Sequence, residues 1–335
     1  MENLNQLKNL LSTPKDIVIF SHRNPDGDAL GSSLGLAHFL SAQHHSVKII
    51  LPSEYPNYLN WMVGVEDIVI YDLMPEHAKL AIEKADIFFC LDFNSLDRID
   101  KCGELMMKQT APKVVIDHHL FPENFADFIL SDTTASSTSE LIFDFIHLLE
   151  QSKYLVPTTA DALYVGIVSD TGSFLYNTSS KVFRITATLL DRGVDDVSIQ
   201  NRLHNNLEIK QLKIIGHCLN KRLEILEEYA TALVTITKED YAEFDIQRGD
   251  TEGIVNMLMR IQNIKVAVLI TEQPTIVKLS MRSKGDFSVQ EIATKHFKGG
   301  GHKNASGAAS FIGLKSTVRK FKELLPLYAE QLSQN

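Results

Sequence analysis

The chain has 335 residues and a formal net charge of −9; the length suffices for two cored domains, and the charge argues against a protein that coats long nucleic acid, although a local basic pocket would still serve short ends. Hydrophobic residues at 44% and charged residues at 22% are the mix of a soluble globular chain, and no run approaches the ~20 apolar residues of a membrane-spanning helix. The amino terminus lacks the basic-then-apolar pattern of a secretory leader, and Cys90, Cys102 and Cys218 show no C-x-x-C spacing, so they read as buried thiols of a cytoplasmic protein rather than a disulfide framework.

In chain order, short β-branched and aromatic runs predict strands at 17–20, 47–51, 68–71, 87–91 and 113–116. Amphipathic segments lie between them, with helical spacing clearest at 30–42 and 139–149. This alternation predicts a mostly parallel sheet with helices on both faces. The run 161–168 reads equally as a buried strand or a short buried helix. Residues 191–228 turn polar and helical and read as a connection between domains 1–190 and 229–335. The second half starts again with strand-like 232–236, a helix around 254–261, and strands at 266–271 and 275–282. A glycine-rich loop, 298–303, and a final helix close the chain.

Four of the apolar runs deliver Asp or His at their carboxyl ends, where open α/β sheets place their ligands. They lead to His22-Arg23-Asn24-Pro25-Asp26-Gly27-Asp28, to Asp92, to Asp117-His118-His119 and to Ser169-Asp170-Thr171-Gly172. Pro25 and Gly27 favour a tight loop, so His22, Asp26 and Asp28 can turn toward one centre. Each motif alone has an ordinary reading: a capping carboxylate, a helix N-cap at Asp92, a turn, a core imidazole. Together His22, Asp26, Asp28, Asp92, His118 and Asp170 make four carboxylates and two imidazoles, a set suited to hard or borderline divalent ions. Six ligands fit two ions ~3.5–4 Å apart sharing a carboxylate better than one open ion. Near the carboxyl end, Gly299, Gly300 and Gly301 offer backbone N–H groups free of side-chain obstruction. His302, Lys303 and the strand-end Arg282 add charge suited to phosphate.

The ordered set H-x-x-x-D-x-D, Asp, D-H-H and S-D-T-G resembles the DHH phosphoesterase superfamily, and the later G-G-G-H looks like its DHHA1 substrate-binding domain. The resemblance implies an α/β fold: an N-terminal, mostly parallel sheet flanked by helices, a smaller C-terminal α/β domain and a cleft between them. It also implies that 161–168 is helical. Two divalent ions are implied, Mn²⁺ first with Mg²⁺ or Co²⁺ as alternatives. One would be held by His22, Asp26 and Asp92, the other by Asp28, Asp92, His118 and Asp170. Asp117 would orient an imidazole, and His119 would face the substrate phosphate. Arg98 resembles an arginine near the metals, but reads equally as a surface partner of Asp97 or Asp100. Ser136 to Glu140 resembles the segment before a core helix and also reads as a capping box, Ser137 with Glu140. Phe174 and Tyr176 read as core packing or as base-stacking rings.

Arg282, Gly299, Gly300, Gly301, His302 and Lys303 would bind substrate. The G-G-G-H motif points away from inorganic pyrophosphatases of the superfamily. The short lead before the first motif points away from its membrane-bound cyclic-di-AMP phosphodiesterases, and the length away from its single-strand DNA exonucleases. What remains is the compact type acting on short oligoribonucleotides and on 3′-phosphoadenosine-5′-phosphate (pAp), with no long duplex or membrane as partner and a homodimer compatible. A stand-alone phosphodiesterase for cyclic-di-AMP or pApA is the nearer rival, an inactive nucleotide-binding regulator the more distant one.

Overall fold

The computed structural model describes residues 3–205, 207–247 and 249–333, and the chain divides into two compact units, 1–206 and 207–335. In the first, β1 (Asp16–Phe20), β2 (Ser46–Leu51), β3 (Val69–Ile70), β4 (Ile87–Leu91), β5 (Lys113–Asp117) and β6 (Phe128–Ser131) form a sheet in the order β3-β2-β1-β4-β5-β6. Every pairing is parallel. Strands of such a sheet are buried on both faces, which explains their continuous apolar sequences. Ile17, Ile19, Phe89, Leu91, Val114 and Ile116 enter one apolar layer, while Val18, Phe20, Phe88, Cys90 and Val115 enter the other. β6 was not anticipated; it is a short edge strand whose last three residues are only half-buried, so it carries little apolar signal.

Among the described residues, eight α-helices of this unit cover the two faces: α1 (Leu4–Leu10), α2 (Gly27–Ser41), α3 (Pro75–Lys84), α4 (Lys101–Met107), α5 (Thr138–Leu148), α6 (Pro157–Asp170), α7 (Ser180–Asp191) and α8 (Asp196–His204). α3 and α4 pack on one face and the others on the opposite face. The run 161–168 lies inside α6, so Asp170 ends a helix and not a strand. Pro157 in the first turn of α6 pre-sets its backbone.

Two helices approach closely enough to bring distant carboxylates together. Gly27, Gly31 and Gly35 recur every four residues along α2 and face Ser169, Gly166 and Leu163 of α6, in descending order, so the helices run antiparallel. A Cβ on Gly31 would stand 2.6 Å from the Ala162 carbonyl oxygen and 2.7 Å from the Gly166 nitrogen. The start of α2, with Asp28, therefore lies beside the end of α6, with Asp170. β1 has β2 on one side and β4 on the other, so strand order reverses there, and the carboxyl ends of β1, β4 and β5 open into the loops that carry His22, Asp92 and His118.

In the second unit, α9 (Ile209–His217) precedes a mixed sheet of order β11-β12-β10-β9-β8-β7. Its strands are β7 (Leu223–Leu226), β8 (Thr231–Ile236), β9 (Val266–Glu272), β10 (Val277–Ser283), β11 (Lys298–His302) and β12 (Ala305–Ser310). Among the described residues only β8 and β9 pair in parallel. Helices α10 (Lys238–Glu243), α11 (Ile254–Leu258), α12 (Val289–His296), α13 (Leu314–Leu324) and α14 (Ala329–Ser333) complete it. The glycine-rich segment expected as a loop is instead the strand β11. Glycine ordinarily weakens strands, but at Gly299 and Gly301 β12 passes too close for a side chain. A Cβ on Gly299 would meet the Gly307 carbonyl oxygen at 2.2 Å, and Gly301, at φ +130°, would meet that of Ala305 at 2.6 Å. No helix among the described residues is long and apolar enough to cross a membrane.

Candidate metal centre

The loop after β1 presents three groups in different ways. His22 is buried; its Nδ1 donates to the Arg23 carbonyl (2.9 Å), which turns Nε2 toward Asp92 Oδ2 at 3.4 Å. Asp26 is exposed and caps α2, its Oδ1 accepting from the N–H groups of Asp28 and Ala29. Asp28 is fully buried. Its two oxygens accept from the Thr138 N–H (2.6 Å), the Ser139 N–H (3.0 Å) and the Ser139 hydroxyl (2.6 Å), all at the amino end of α5. A helix amino terminus favours a carboxylate there. The loop itself is pinned by Arg23, which pairs with Asp72 and Asp100.

Asp92 stands at the middle. It leaves β4 with φ +63°, a left-handed conformation that Asp tolerates better than most residues. Its Oδ1 accepts from the Thr138 hydroxyl (3.0 Å) and lies 3.5 Å from His118 Nε2 and 3.7 Å from His119 Nδ1. Among the described residues of this unit, three histidine and aspartate groups could hold an ion: His22 with Asp26 and Asp92, Asp28 with Asp92 and His118, and Asp92 with Asp117 and His119; in each, one ligand atom per residue lies within 4.8 Å of the others, and Asp92 belongs to all three. Asp170 joins through His118, whose Nε2 is 3.2 Å from Asp170 Oδ2 and 3.9 Å from Asp28 Oδ2.

The D-H-H triplet is divided by its hydrogen bonds. His118 Nδ1 donates to the Ala135 carbonyl (3.2 Å), which aims Nε2 at the carboxylates. Asp117, fully buried, accepts from His119 Nδ1 at 2.8 Å, so it orients His119 and not His118. Arg98 is half-buried and makes no ion pair among the described residues. Asp100 is paired with Arg23, neither it nor Asp97 pairs with Arg98 among the described residues, and the charge of Arg98 reaches His22.

The electrostatics fit a cation. Burial drives the Asp28 carboxyl well above the ordinary range, and the charges of Asp92 and Asp170 push the same way. Burial also raises Asp170, more than His118 offsets. Burial alone would raise Asp92 too, but His118 and His22 outweigh it and hold it well below the ordinary range. For His118, burial disfavours the proton, yet Asp170 and Asp92 raise it well above 6.5. Three buried or half-buried carboxylates converging on one imidazole thus gather negative charge out of water, which a bound cation would offset. A sulfur-free set of carboxylates and imidazoles is suited to a divalent ion that prefers oxygen and nitrogen.

In the second unit, the ladder sets out the predicted substrate residues. Arg282 of β10 and His302 of β11 both pair with Ala305 of β12, so all three side chains share one face. Along that face lie Ser280, Gly307 and Gly300, a nearly flat floor. The other face sends Leu279 and Met281 into the core. In a strand, successive N–H groups of Gly299 to Gly301 point alternately, so they form no nest of consecutive donors. Lys303 is paired with Asp286 (2.8 Å).

Some participants were not read as such from the sequence. Thr138 and Ser139 read as part of a cap or of the segment before a core helix, with no ligand-holding role, yet their donors hold Asp28 and Asp92; four consecutive Ser and Thr residues leading into an apolar helix were the available signal. The capping box is shifted, since Glu140 accepts from Ser136 rather than Ser137. The spacing of Gly27, Gly31 and Gly35 was a second signal, of close helix contact. Phe174 packs against the core and stacks on Phe183, while Tyr176 is exposed. All three cysteines are buried and free.

The description "DHH family, N-terminal domain" matches residues 16–167, and the DHHA1 domain matches residues 227–331. The crystal structure of an exopolyphosphatase-related protein from Bacteroides fragilis superposes with a TM-score of 0.94 at 37% identity, covering 99% of this chain and 97% of that one. The probable bifunctional oligoribonuclease and PAP phosphatase NrnA of Streptococcus mutans is 29% identical over 301 residues, 88% of this chain and 89% of that protein. The cyclic-di-AMP phosphodiesterase GdpP of Bacillus subtilis is 24% identical over 97% of this chain, which spans only 49% of that protein's length.

Proposed function

We propose a function from one premise: this chain belongs to the DHH family and carries a DHHA1 domain. It is a DHH phosphoesterase that cleaves short oligoribonucleotides, pApA included, to mononucleotides and takes pAp to AMP in the cytoplasm. The observation that carries the reading is Asp92, buried at the strand-order reversal and common to every ion-holding group of its unit. His22, Asp26 and Asp92 would hold one ion, and Asp28, Asp92, His118 and Asp170 a second. Mn²⁺, with Mg²⁺ or Co²⁺ as alternatives, would supply an activated water and a cationic clamp on the phosphoryl oxygens.

The chain's own groups do the rest. Asp117 fixes His119 with Nδ1 as donor, so the proton given to the leaving oxygen as the P–O bond breaks passes at Nε2. Arg98, charged and close to His22, adds positive potential at the edge of the site. Arg282 and His302, on one face of the second sheet, anchor a substrate phosphate beside the β11 glycines, and Lys303 joins them when it leaves Asp286. Similarity to the NrnA protein along most of both chains supports this substrate class. Similarity to GdpP supports a second reading, hydrolysis of cyclic-di-AMP. An inactive regulator has little support, because all six ligand residues are present.

The test is a panel with Mn²⁺: pApA, longer oligoribonucleotides, pAp, cyclic-di-AMP and pyrophosphate, each with a chelator control. Short oligoribonucleotides are expected to be cleaved fastest, with loss of turnover under chelation. Cyclic-di-AMP as best substrate would establish the second reading, and pyrophosphate as best substrate would sink both. In the same assay, Arg282→Ala and His302→Ala are expected to raise KM by about tenfold while lowering kcat less, as for groups that bind ground and transition states alike. A fall in kcat with KM unchanged would contradict an anchoring role.

A further inference from the structure

One short segment, Ala135 to Ser139 at the entry to α5, serves three of the six ligand candidates at once. The Ala135 carbonyl accepts from His118 Nδ1, and the Thr138 hydroxyl donates to Asp92 Oδ1. The N–H groups of Thr138 and Ser139 and the Ser139 hydroxyl all donate to Asp28. These ligands arrive from the start of α2 and the ends of β4 and β5, and they form one of the ion-holding groups. A shift of the segment would therefore disturb all three together. The fit is close on its other side too: a Cβ on Gly166 of α6 would run into the Ser139 hydroxyl and stand 2.6 Å from Asp28 Oδ1.

What holds the segment is Glu140, which is 2% exposed and enters none of the ion-holding groups among the described residues. Its Oε2 accepts from both the N–H and the hydroxyl of Ser136, each at 2.8 Å. Lys181 of α7 lies 2.9 Å from Glu140 Oε1 and 2.6 Å from Asp144 Oδ2. A capping box would turn Glu140 back to the N–H of Ser137, the N-cap residue. It reaches one residue further and grips the chain beside Ala135. Capping alone does not account for it, because the Ser137 hydroxyl already accepts from the Glu140 N–H (3.0 Å) and a carboxylate is costly to bury.

We propose that Glu140 is a positioning residue for the metal centre, an inference that rests on the phosphoesterase reading above. Through Ser136 it fixes the Ala135 to Ser139 segment, and the segment fixes Asp28, Asp92 and His118 against one another. Groups that orient metal ligands in this way change metal affinity or activity by about 10–100-fold when removed. The effect depends on the reach of the Glu140 side chain to Ser136, and Lys181 offsets the charge that this reach buries.

The full chain and its variants are titrated with Mn²⁺ by calorimetry and melted separately in chelator. Glu140→Asp keeps the charge but shortens the reach by one methylene, and it should raise the Kd for Mn²⁺ about tenfold. Glu140→Gln keeps the reach and an oxygen for Ser136, with Lys181 left to Asp144, and should bind Mn²⁺ as the parent does. Thr138→Val, which removes the hydroxyl facing Asp92, should behave like Glu140→Asp, and Thr138→Ser should restore affinity. In turnover, Glu140→Asp should lose kcat at limiting Mn²⁺ and regain it at saturating Mn²⁺, with KM for the substrate unchanged. The reverse order, Gln weakened and Asp normal, would assign Glu140 a charge role and overturn positioning. So would a lower melting temperature in chelator with Mn²⁺ affinity unaltered, the mark of a purely structural role. If Glu140→Asp does not fold, the Thr138 pair decides, and unchanged affinity in Thr138→Val counts against the segment. Parent turnover with Mn²⁺ affinity unaltered in the variants overturns the positioning role and leaves the phosphoesterase reading standing. The expected order of affinities without turnover of any nucleotide does the reverse, and a parent that binds no Mn²⁺ overturns both.

Discussion

Replacing Asp92 by alanine is expected to lower kcat/KM on the preferred substrate by about 10³-fold or more, which at 1.36 kcal/mol per decade is about 4 kcal/mol of transition-state stabilisation. The size follows from position. Asp92 is buried, lies within reach of His22, His118 and His119, and enters each of the three ion-holding groups of its unit. Two neighbouring carboxylates are already committed, Asp28 to three donors of α5 and Asp117 to His119. Asp92→Asn is the companion variant. It keeps the size of the side chain and tolerates the left-handed backbone at φ +63°, so it separates loss of charge from loss of shape. Both variants should bind less Mn²⁺ per chain by elemental analysis after gel filtration. Activity within tenfold of the parent in both, with metal content unchanged, would refute the central place given to Asp92.

Gly31→Ala is expected to destabilise the first unit by at least about 2 kcal/mol, although alanine is the better helix former by about 1 kcal/mol. The added methyl would stand 2.6 Å from the Ala162 oxygen, 2.7 Å from the Gly166 nitrogen and 2.8 Å from its Cα, all backbone atoms that can yield only if α2 and α6 separate. Gly35→Ala is the control. Its methyl would meet the Leu163 Cδ2 atom at 2.6 Å, the end of a side chain that can rotate, so stability should stay within about 1 kcal/mol of the parent. At about 2–4 °C per kcal/mol the first variant should melt at least about 4 °C lower. Activity should fall with it, because separating the helices draws Asp28 away from Asp170. Equal effects of the two substitutions in thermal and urea unfolding would show that helix contact does not set the site's geometry.

Much of this was legible before any coordinates. The strands of the first sheet are short apolar runs because parallel strands are buried on both faces, and burial writes itself into composition. Three of the four site motifs follow such runs directly, since a strand that ends at a ligand must change from apolar to polar within a residue or two. The fourth misleads in this respect. Leu163 to Val168 is apolar throughout because α6 is buried on several sides, and helix and strand then read alike. The β11 glycines mislead for a related reason, since their absent side chains suggest a flexible turn while Gly299 and Gly301 make room beside β12.

By itself, the sequence determined the chemistry available: four carboxylates and two imidazoles without sulfur, placed where strands and a helix end, and a second set of basic groups near glycines. Residue type and local pattern carry that information because ligand preference and strand burial are local properties. Only the tertiary structure decided the division of labour. It assigned Asp117 to His119 and the Ala135 carbonyl to His118, gave Asp28 to the amino end of α5, made Asp92 the common member, and set Arg282 and His302 on one face across Ala305. Those pairings join residues up to 111 positions apart in the chain, and which of several equivalent carboxylates meets a given imidazole depends on helix contact and strand register, which local pattern does not encode.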